Sequence, residues 1–385
     1  MNGAVVIEGH VQGLSNTRAL GEAGIPVIVI DRDLCLARFS RYCKKFFRCP
    51  DYRAPEFVPF LMDLARKENL QGWMLLPSND HAVHSIAVHR KELLKYYKVL
   101  TPPAGVIENI YDKAKLLDLA EKAGVACPST VYFRTPEDRP EKNLSYPVLT
   151  KGRNGLTFYR TMGRKAFFAG DESELRSQLK TISEKIPVSQ TFTQEVIPFD
   201  GTNKTISFTA FSIRGEIKTC WAGEKIREHP LRFGTATMAV SIPGEGLLEP
   251  AGKLLRELDY TGICEIEFLL DPRDRTYKLI EINARTWLWV GLAKHCGVNY
   301  ALIAYNYLNE LENNYPQSYT TGIKWINYLT DIPFSLSAII SGKLRLSAYF
   351  SSLRGKKCDA FFSLKDPLPA VMFFFLSVYI AIKRR

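Results

Sequence analysis

This sequence predicts a mixed α/β fold, α+β over the whole chain, and three observations carry that reading. Short apolar strands alternate with helices through the first hundred residues, the pattern of an open parallel sheet. Pro102 and Pro103 then interrupt the alternation. Further on, two runs of period two, 264–271 and 277–285, read as a β-hairpin with acidic side chains on one face.

The elements follow in order. Strands are expected over 4–8, 26–31 and 72–77, with helices over 15–23, over 55–68 and from Asp80 onward. The turn Gly9-His10-Val11-Gln12-Gly13-Leu14-Ser15 has two readings. It is a structural turn, or a phosphate-binding glycine loop with Asp31 as a ribose acid; the incomplete Gly-x-Gly-x-x-Gly spacing favours the turn. Past the proline pair, Asp112-Lys113 opens a helix that Gly124 stops. A strand ending Tyr146-Pro147-Val148-Leu149-Thr150-Lys151 leads into the turn Gly152-Arg153-Asn154-Gly155, a helix over 172–186 and a strand over 191–197 closed by Pro198. Strands over 205–213 and 216–223 pair around Arg214-Gly215, and a loop over 227–237 and a helix over 249–258 complete the approach to the acidic hairpin. No internal repeat or low-complexity segment interrupts this order.

If the hairpin pairs about the turn 272–276, Leu269 faces Leu279, Glu267 faces Glu281 and Glu265 faces Asn283. Side chains directly opposite on one sheet face lie about 5 Å apart, so two like charges there are destabilising. A hard cation held by Glu267, Glu281 and the Asn283 oxygen removes that repulsion. Mg²⁺ suits such an oxygen set when phosphate oxygens complete its octahedron, and Arg285, on the same face, could then meet a transferring phosphoryl group. Ile263, Ile266, Phe268, Ile280 and Ile282 supply the buried face; the competing reading is a solvent-facing hairpin with merely exposed acids.

Composition narrows the classes. The chain has 385 residues, 46% hydrophobic and 24% charged, an ordinary globular balance with room for two or three domains. Its eight cysteines include no Cys-x-x-Cys pair, which argues for a reducing compartment and against a zinc ribbon or a secreted disulfide framework. The opening Met1-Asn2-Gly3-Ala4-Val5-Val6-Ile7 reads as a buried strand, not a signal peptide, so a cytoplasmic protein is expected. The net charge is +11, and residues 334–385 hold nine basic residues against Asp359 and Asp366. No nucleic-acid signature accompanies that tail, leaving an anionic substrate or an anionic membrane surface as its partner. The apolar run 368–382 is too short to span a bilayer as a helix and reads either as a helix docked on the protein or as one lying peripherally at the inner face of the membrane.

Lys113 and Lys151 read either as solvated surface lysines or as the paired ammonium groups that a triphosphate requires, and Glu195-Val196-Ile197, stopped by proline, reads either as an ordinary sheet edge or as one that offers backbone groups to adenine. In this order and spacing, Asp112-Lys113, Pro147 to Lys151, Gln194 to Pro198, Arg227 to Gly234, Glu267-Phe268 and Glu281-Ile282-Asn283-Ala284-Arg285 resemble the ATP-grasp superfamily, specifically its carboxylate–amine ligases. The resemblance implies an ATP-grasp fold with an N-terminal open parallel α/β domain (1–100), a central domain (101–315, lobes about 113–195 and 196–315) and a basic C-terminal extension (316–385). It implies ATP bound by Lys113, Lys151 and the backbone of Glu195, Val196 and Ile197, with Asp200 at the ribose. It also implies Mg²⁺, with Mn²⁺ as an alternative, on Glu267, Glu281 and Asn283, and Arg285 and Arg227 as catalytic groups that stabilise an acyl phosphate.

The sequence departs from the family pattern in having Ala284 where proline is usual and a glycine-rich flap reduced to Gly152-Arg153-Asn154-Gly155. Arg232, Ser78 and Asp80 are candidate substrate contacts, against a solvated loop arginine and helix-capping groups. His81 and His84, one turn apart, are read as exposed or packed residues and not as zinc ligands. Trp287 and Trp289 are read first as core and second as walls of an acyl pocket. The implied activity joins a small-molecule or glycan carboxylate, such as one of the cell envelope, to an amine. An ATP-grasp kinase, a non-catalytic nucleotide-binding protein and a nicotinamide-dependent dehydrogenase are the other readings, and a homodimer stays open.

Overall fold

A computed structural model describes residues 2–199, 203–229 and 234–383. The first hundred residues run β1 (Ala4–Ile7), α1 (Val11–Gly21), β2 (Val27–Asp31), β3 (Cys43–Arg48), α2 (Phe57–Lys67), β4 (Trp73–Pro77), α3 (Asp80–Val88), the short α4 (Arg90–Leu93) and β5 (Tyr97–Val99). All pairings are parallel in the order β3-β2-β1-β4-β5. β1 and β2 are buried along their whole length, as a parallel sheet with both faces covered requires. The sequence missed β3, where Lys44 and Lys45 stand side by side and spoil the period-two pattern. It also began α1 at residue 15, whereas the helix starts at Val11.

The Gly9 turn is structural. Asp31, 3% exposed, accepts the Gly9 backbone N–H at 2.9 Å and the Tyr52 hydroxyl at 3.1 Å, so its carboxylate is occupied inside the fold. That removes the ribose acid on which the dehydrogenase reading depended.

Helices α5 (Ala104–Tyr111), unforeseen in the sequence, and α6 (Lys113–Lys122) lead to a small antiparallel sheet of β6 (Thr130–Val131), β7 (Val148–Gly152), β8 (Phe167–Ala169) and β9 (Thr191–Glu195), ordered β6-β9-β7-β8. Helix α7 (Gly155–Met162) follows β7 directly, and α8 (Glu172–Ser183) covers the sheet through Leu175, Leu179 and Ile182. In place of a free glycine flap, the turn before α7 is fixed: Arg153 forms a fork on Asp112 at 3.0 and 2.7 Å, and Asn154 caps α7.

The large sheet has the order β14-β13-β10-β11-β12-β15-β16, from β10 (Thr205–Ile213), β11 (Glu216–His229), β12 (Thr235–Ile242), β13 (Gly262–Leu270), β14 (Tyr277–Asn283), β15 (Lys324–Ile326) and β16 (Lys357–Asp359). Between these lie α9 (Leu248–Glu257), α10 (Val290–His295), α11 (Tyr300–Leu308), α12 (Tyr328–Ile340) and α13 (Leu346–Ser352), and α14 (Leu368–Lys383) closes the described chain. The expected loop 227–237 is mostly strand, because β11 continues to His229 and β12 begins at Thr235. β15 and β16 extend the sheet past residue 315.

One hydrophobic core joins the first sheet to the large one. It contains Leu14, Val27 and Met74, then Phe211, Trp221 and Trp287, and finally Phe361 and Leu376. Trp287 and Trp289 are 1% and 2% exposed, so both are core. The start of α14 is fixed to the first domain: the Asp366 carboxylate, 1% exposed, accepts from Arg18 at 2.8 Å, from Ser40 at 2.7 Å and from the Arg41 backbone N–H at 2.8 Å. Phe373 packs on Phe361 with ring centroids 4.5 Å apart. Among the described residues, no helix is long and apolar enough to cross a membrane.

Candidate functional site

The acidic hairpin pairs as the sequence predicted at its important end: Glu265 opposes Asn283 and Glu267 opposes Glu281. A β-bulge after Glu267 then shifts the register by one, so Leu269 faces Lys278 and not Leu279. Leu279 is instead paired with Phe268 and fully buried.

Two lysines meet the two facing acids. Lys113, the first residue of α6, donates to Glu281 Oε2 at 3.0 Å. Lys225 of β11, which the sequence reading missed, donates to both Glu267 oxygens at 3.1 and 3.2 Å. The Lys113 charge holds the Glu281 carboxyl down at about 2. Burial raises Glu267 against the pull of Lys225, and the Glu281 charge adds to the rise. Burial opposes the charge on Lys225, but Glu267 and Glu265 outweigh it and raise its ammonium above the ordinary value.

Glu265 lies deeper, 3% exposed, accepting from Ser207 Oγ at 2.7 Å and from Asn283 Nδ2 at 2.9 Å. Burial pushes its carboxyl up to about 7. By engaging the amide nitrogen it turns the Asn283 oxygen the other way, where Arg285 Nη2 donates to it at 3.1 Å. Arg285 also forks onto Asp80, Nε to Oδ1 at 2.7 Å and Nη2 to Oδ2 at 2.9 Å.

Asp80 therefore holds Arg285 across the seam between the first domain and the hairpin. The cap of α3 is Asn79, whose side chain accepts the Ala82 N–H at 2.9 Å. Ser78 is fully buried, and Asn16 Nδ2 donates both to its hydroxyl at 3.4 Å and to Thr286 Oγ1 at 2.9 Å, so Asn16 ties the end of β4 to the segment after the hairpin. Glu8, at the end of β1 with φ 71°, also lies at the seam; burial lifts its carboxyl to about 7 against the charges of His10 and Arg285.

Lys151, in β7, has no hydrogen-bonded partner among the described residues. Burial, and then the Lys113 charge, bring its ammonium down to about 8. Beyond it, the N–H groups of Glu195 and Val196 are bonded to Ser129 and Pro147 carbonyls at 2.9 Å each, whereas the Ile197 N–H has no partner among the described residues. The Glu195 side chain is also engaged, accepting from the Ser129 N–H at 2.8 Å and from Arg273 at 2.9 Å. The expected backbone edge for adenine is thus reduced to the Ile197 N–H together with strand carbonyls. Asp200 and Arg232 lie outside the described residues.

Arg227 is not at the hairpin. It forks onto Asp331 of α12 at 2.7 Å from both Nε and Nη2, and reaches Ser352 of α13. Asp331 is fully buried, so this pair ties α12 to β11.

A divalent cation fits the donor set. Glu267, Glu281 and the Asn283 oxygen are hard oxygen ligands on adjacent strands, and both acids are matched by lysines that can turn away. Among the described residues, no three His, Cys, Asp or Glu side chains gather as a metal site by themselves, so an ion here would draw the rest of its shell from water or phosphate oxygens.

Comparison with known proteins agrees with this geometry. Residues 244–303, which include the acidic hairpin, match the family described as the ATP binding domain of the carbamoyl-phosphate synthase L chain. D-aspartate ligase of Enterococcus faecium (strain Aus0004) is 24% identical over 244 residues, 60% of this chain and 58% of that protein. The chain thus spans under two thirds of that relative. Two solved structures share the fold. An L-amino acid ligase from Bacillus licheniformis has a TM-score of 0.60 at 18% identity, covering 80% of this chain and 74% of its own. The biotin carboxylase domain of Hydrogenobacter thermophilus 2-oxoglutarate carboxylase, a dimer in complex with MgADP and bicarbonate, has a TM-score of 0.62 at 18% identity, covering 82% and 72%. The chain has the ATP-grasp fold.

Proposed function

We propose that this protein is an ATP-dependent carboxylate–amine ligase that forms an amide through an acyl phosphate and releases ADP and phosphate. The observation that carries the proposal is the convergence of Lys113, Lys225 and Arg285 on Glu267, Glu281 and Asn283, with Lys151 left uncommitted. Three cations facing a hard-oxygen set suit phosphate oxygens and little else.

Lys151 and Lys113 are assigned to the phosphates, and the backbone at Glu195 to Ile197 to adenine. Glu267, Glu281 and Asn283 would hold Mg²⁺, which would offset the negative charge that develops on the phosphates. Arg285 is assigned to the acyl phosphate. Asp80 orients its guanidinium from the first domain, so the carboxylate would bind at the seam. Attack by the amine on the acyl carbon expels phosphate and forms the C–N bond. These side chains act by position and charge, since phosphoryl transfer needs little covalent help.

The curated relative's name makes amino acids the first carboxylates to try, with sugar acids and cell-envelope glycans next. A cytoplasmic protein, peripheral to the inner face of the membrane and dimeric, is the setting this reading favours. The test measures ADP and phosphate release across carboxylates with and without pooled amines, adding hydroxylamine to trap the acyl phosphate as a hydroxamate. Turnover should need both Mg²⁺ and the right acid; AMP with pyrophosphate, or a stable phosphate ester, refutes the mechanism.

A further inference from the structure

Helix α12 is inside out. Its buried residues are polar, Asp331 and Ser335, while Leu329, Ile332, Leu336 and Ile340, at spacings of three, four and four, are 45%, 52%, 55% and 79% exposed. Residues three and four apart share a helix face, so this is one apolar stripe turned to solvent. α13 buries nothing and presents Leu346 and Phe350, 56% and 60% exposed, again four apart. Scattered apolar residues on a surface need no explanation, but a whole helical hairpin that reverses the usual amphipathicity does.

The charge around the stripe identifies its occupant. Between Ile332 and Cys358 there are five basic residues and no acidic one, a net +5. Lys343 and Arg345 lie in the connection between the helices, and Arg354, Lys356 and Lys357 follow α13; all five are exposed. An apolar helical face bordered by unopposed basic groups complements an anionic lipid surface, with the apolar side chains in the acyl boundary and the cations at the headgroups. A second copy meeting the same face would gain from the stripe but would bring the same unopposed positive charge against it.

The polar side of the hairpin is fixed to the enzyme. Arg227 binds Asp331 and Ser352, tying both helices to β11, and Thr237 donates to Asp331 at 2.8 Å. Phe334 stacks on His229 with ring centroids 3.3 Å apart. The hairpin is therefore a supported platform whose free side is the apolar one. Lys225, two residues before its Arg227 anchor, is the group that binds Glu267.

We propose that α12, α13 and their basic connections form a docking surface for anionic membranes, separate from the terminal helix α14. The inference goes beyond the ligase reading and does not rest on it. The test is co-sedimentation of the full chain with phosphatidylcholine vesicles containing about one quarter phosphatidylglycerol, against pure phosphatidylcholine, in low and high salt. The wild type should pellet with the anionic vesicles, and salt should release it. Leu336→Ser with Ile340→Ser should weaken binding by about tenfold or more, through the loss of two apolar side chains from the interface. Lys356→Glu with Lys357→Glu should weaken it by about fivefold or more for each charge and remove the salt dependence. All four positions are exposed, so unchanged melting curves should accompany both variants. Equal pelleting of wild type and both variants, or no pelleting of the wild type, overturns the proposal. So does a dimer that Leu336→Ser with Ile340→Ser dissociates without changing vesicle binding.

Discussion

Replacing Glu265 with glutamine should stabilise the metal-free protein at neutral and alkaline pH and leave it little changed near pH 4. The carboxyl is 3% exposed, and burial, together with the Glu267 charge, raises it from 4.5 to about 7. At about 1.4 kcal/mol for each factor of ten, that rise corresponds to about 3 kcal/mol. Part of it belongs to repulsion that Glu267 can relieve by taking up the proton itself, so about 2 kcal/mol is expected. Because the folded state binds this proton more tightly than the unfolded chain, the wild type carries no penalty below pH 4.5. It loses stability from there to about pH 7 and carries the full penalty above. Glutamine does not titrate, yet its oxygen can still accept from Ser207 or Asn283. Urea unfolding of both proteins in chelator at several pH values tests this. The stability difference should open through the interval from 4.5 to 7 and then level off; a difference independent of pH, or a variant less stable at pH 8, refutes the reasoning.

Glu281→Gln and Asn283→Ala should each abolish ADP release. Glu281→Gln should also lower the metal-free melting temperature, since it takes from Lys113 its partner at 3.0 Å; the repulsion that Glu281 would otherwise feel is already met by that lysine. Lys151 loses its proton as pH rises through about 8, so KM for ATP should climb above that pH, whereas Lys151→Arg should keep KM flat. Arg227→Ala strands the fully buried Asp331 and should cost about 3 kcal/mol in urea unfolding, with much of the loss recovered by adding Asp331→Asn.

Much of the site was legible in the sequence because strands alternate strictly. Once 264–271 and 277–285 were read as a hairpin, the faces of Glu265, Glu267, Glu281 and Asn283 followed. The bulge after Glu267 has no sequence signature, so the register beyond it slipped. Lys225 was lost because the strand was ended at Gly223; reading it on to His229 would have aligned Lys225 with the acids. Arg227 received a catalytic role only through the family resemblance, and its partner Asp331 lies 104 residues away, where no local pattern reaches. The burial of Ser78 was hidden for a similar reason, since the Asn16 side chain that reaches it and Thr286 lies 62 residues away. The parallel first sheet was visible in its fully apolar strands, while β3, with its paired lysines, was not.

The counter-ions explain how a sheet can hold two facing acids without a metal. Glu281 has Lys113, Glu267 has Lys225 and Asp80 has Arg285, so each of these three acids already faces a cation. Loading the site then needs an exchange of partners, not the assembly of new structure. A divalent ion on the carboxylates would free Lys113 and Lys225 for phosphate oxygens, whose negative charge would take the place of the carboxylates that the lysines leave. The acids themselves stay on paired strands, where the ladder fixes their spacing, and the movement falls to long, flexible lysine side chains. Arg285 is different. Its planar fork is held by Asp80 from another domain, so its position depends on how the first sheet sits on the hairpin, and through Ser78, Asn16 and Thr286 that seam is itself hydrogen-bonded. On the proposed function, a carboxylate substrate entering at the seam would meet an arginine already aimed, at the cost of competing with Asp80 for it.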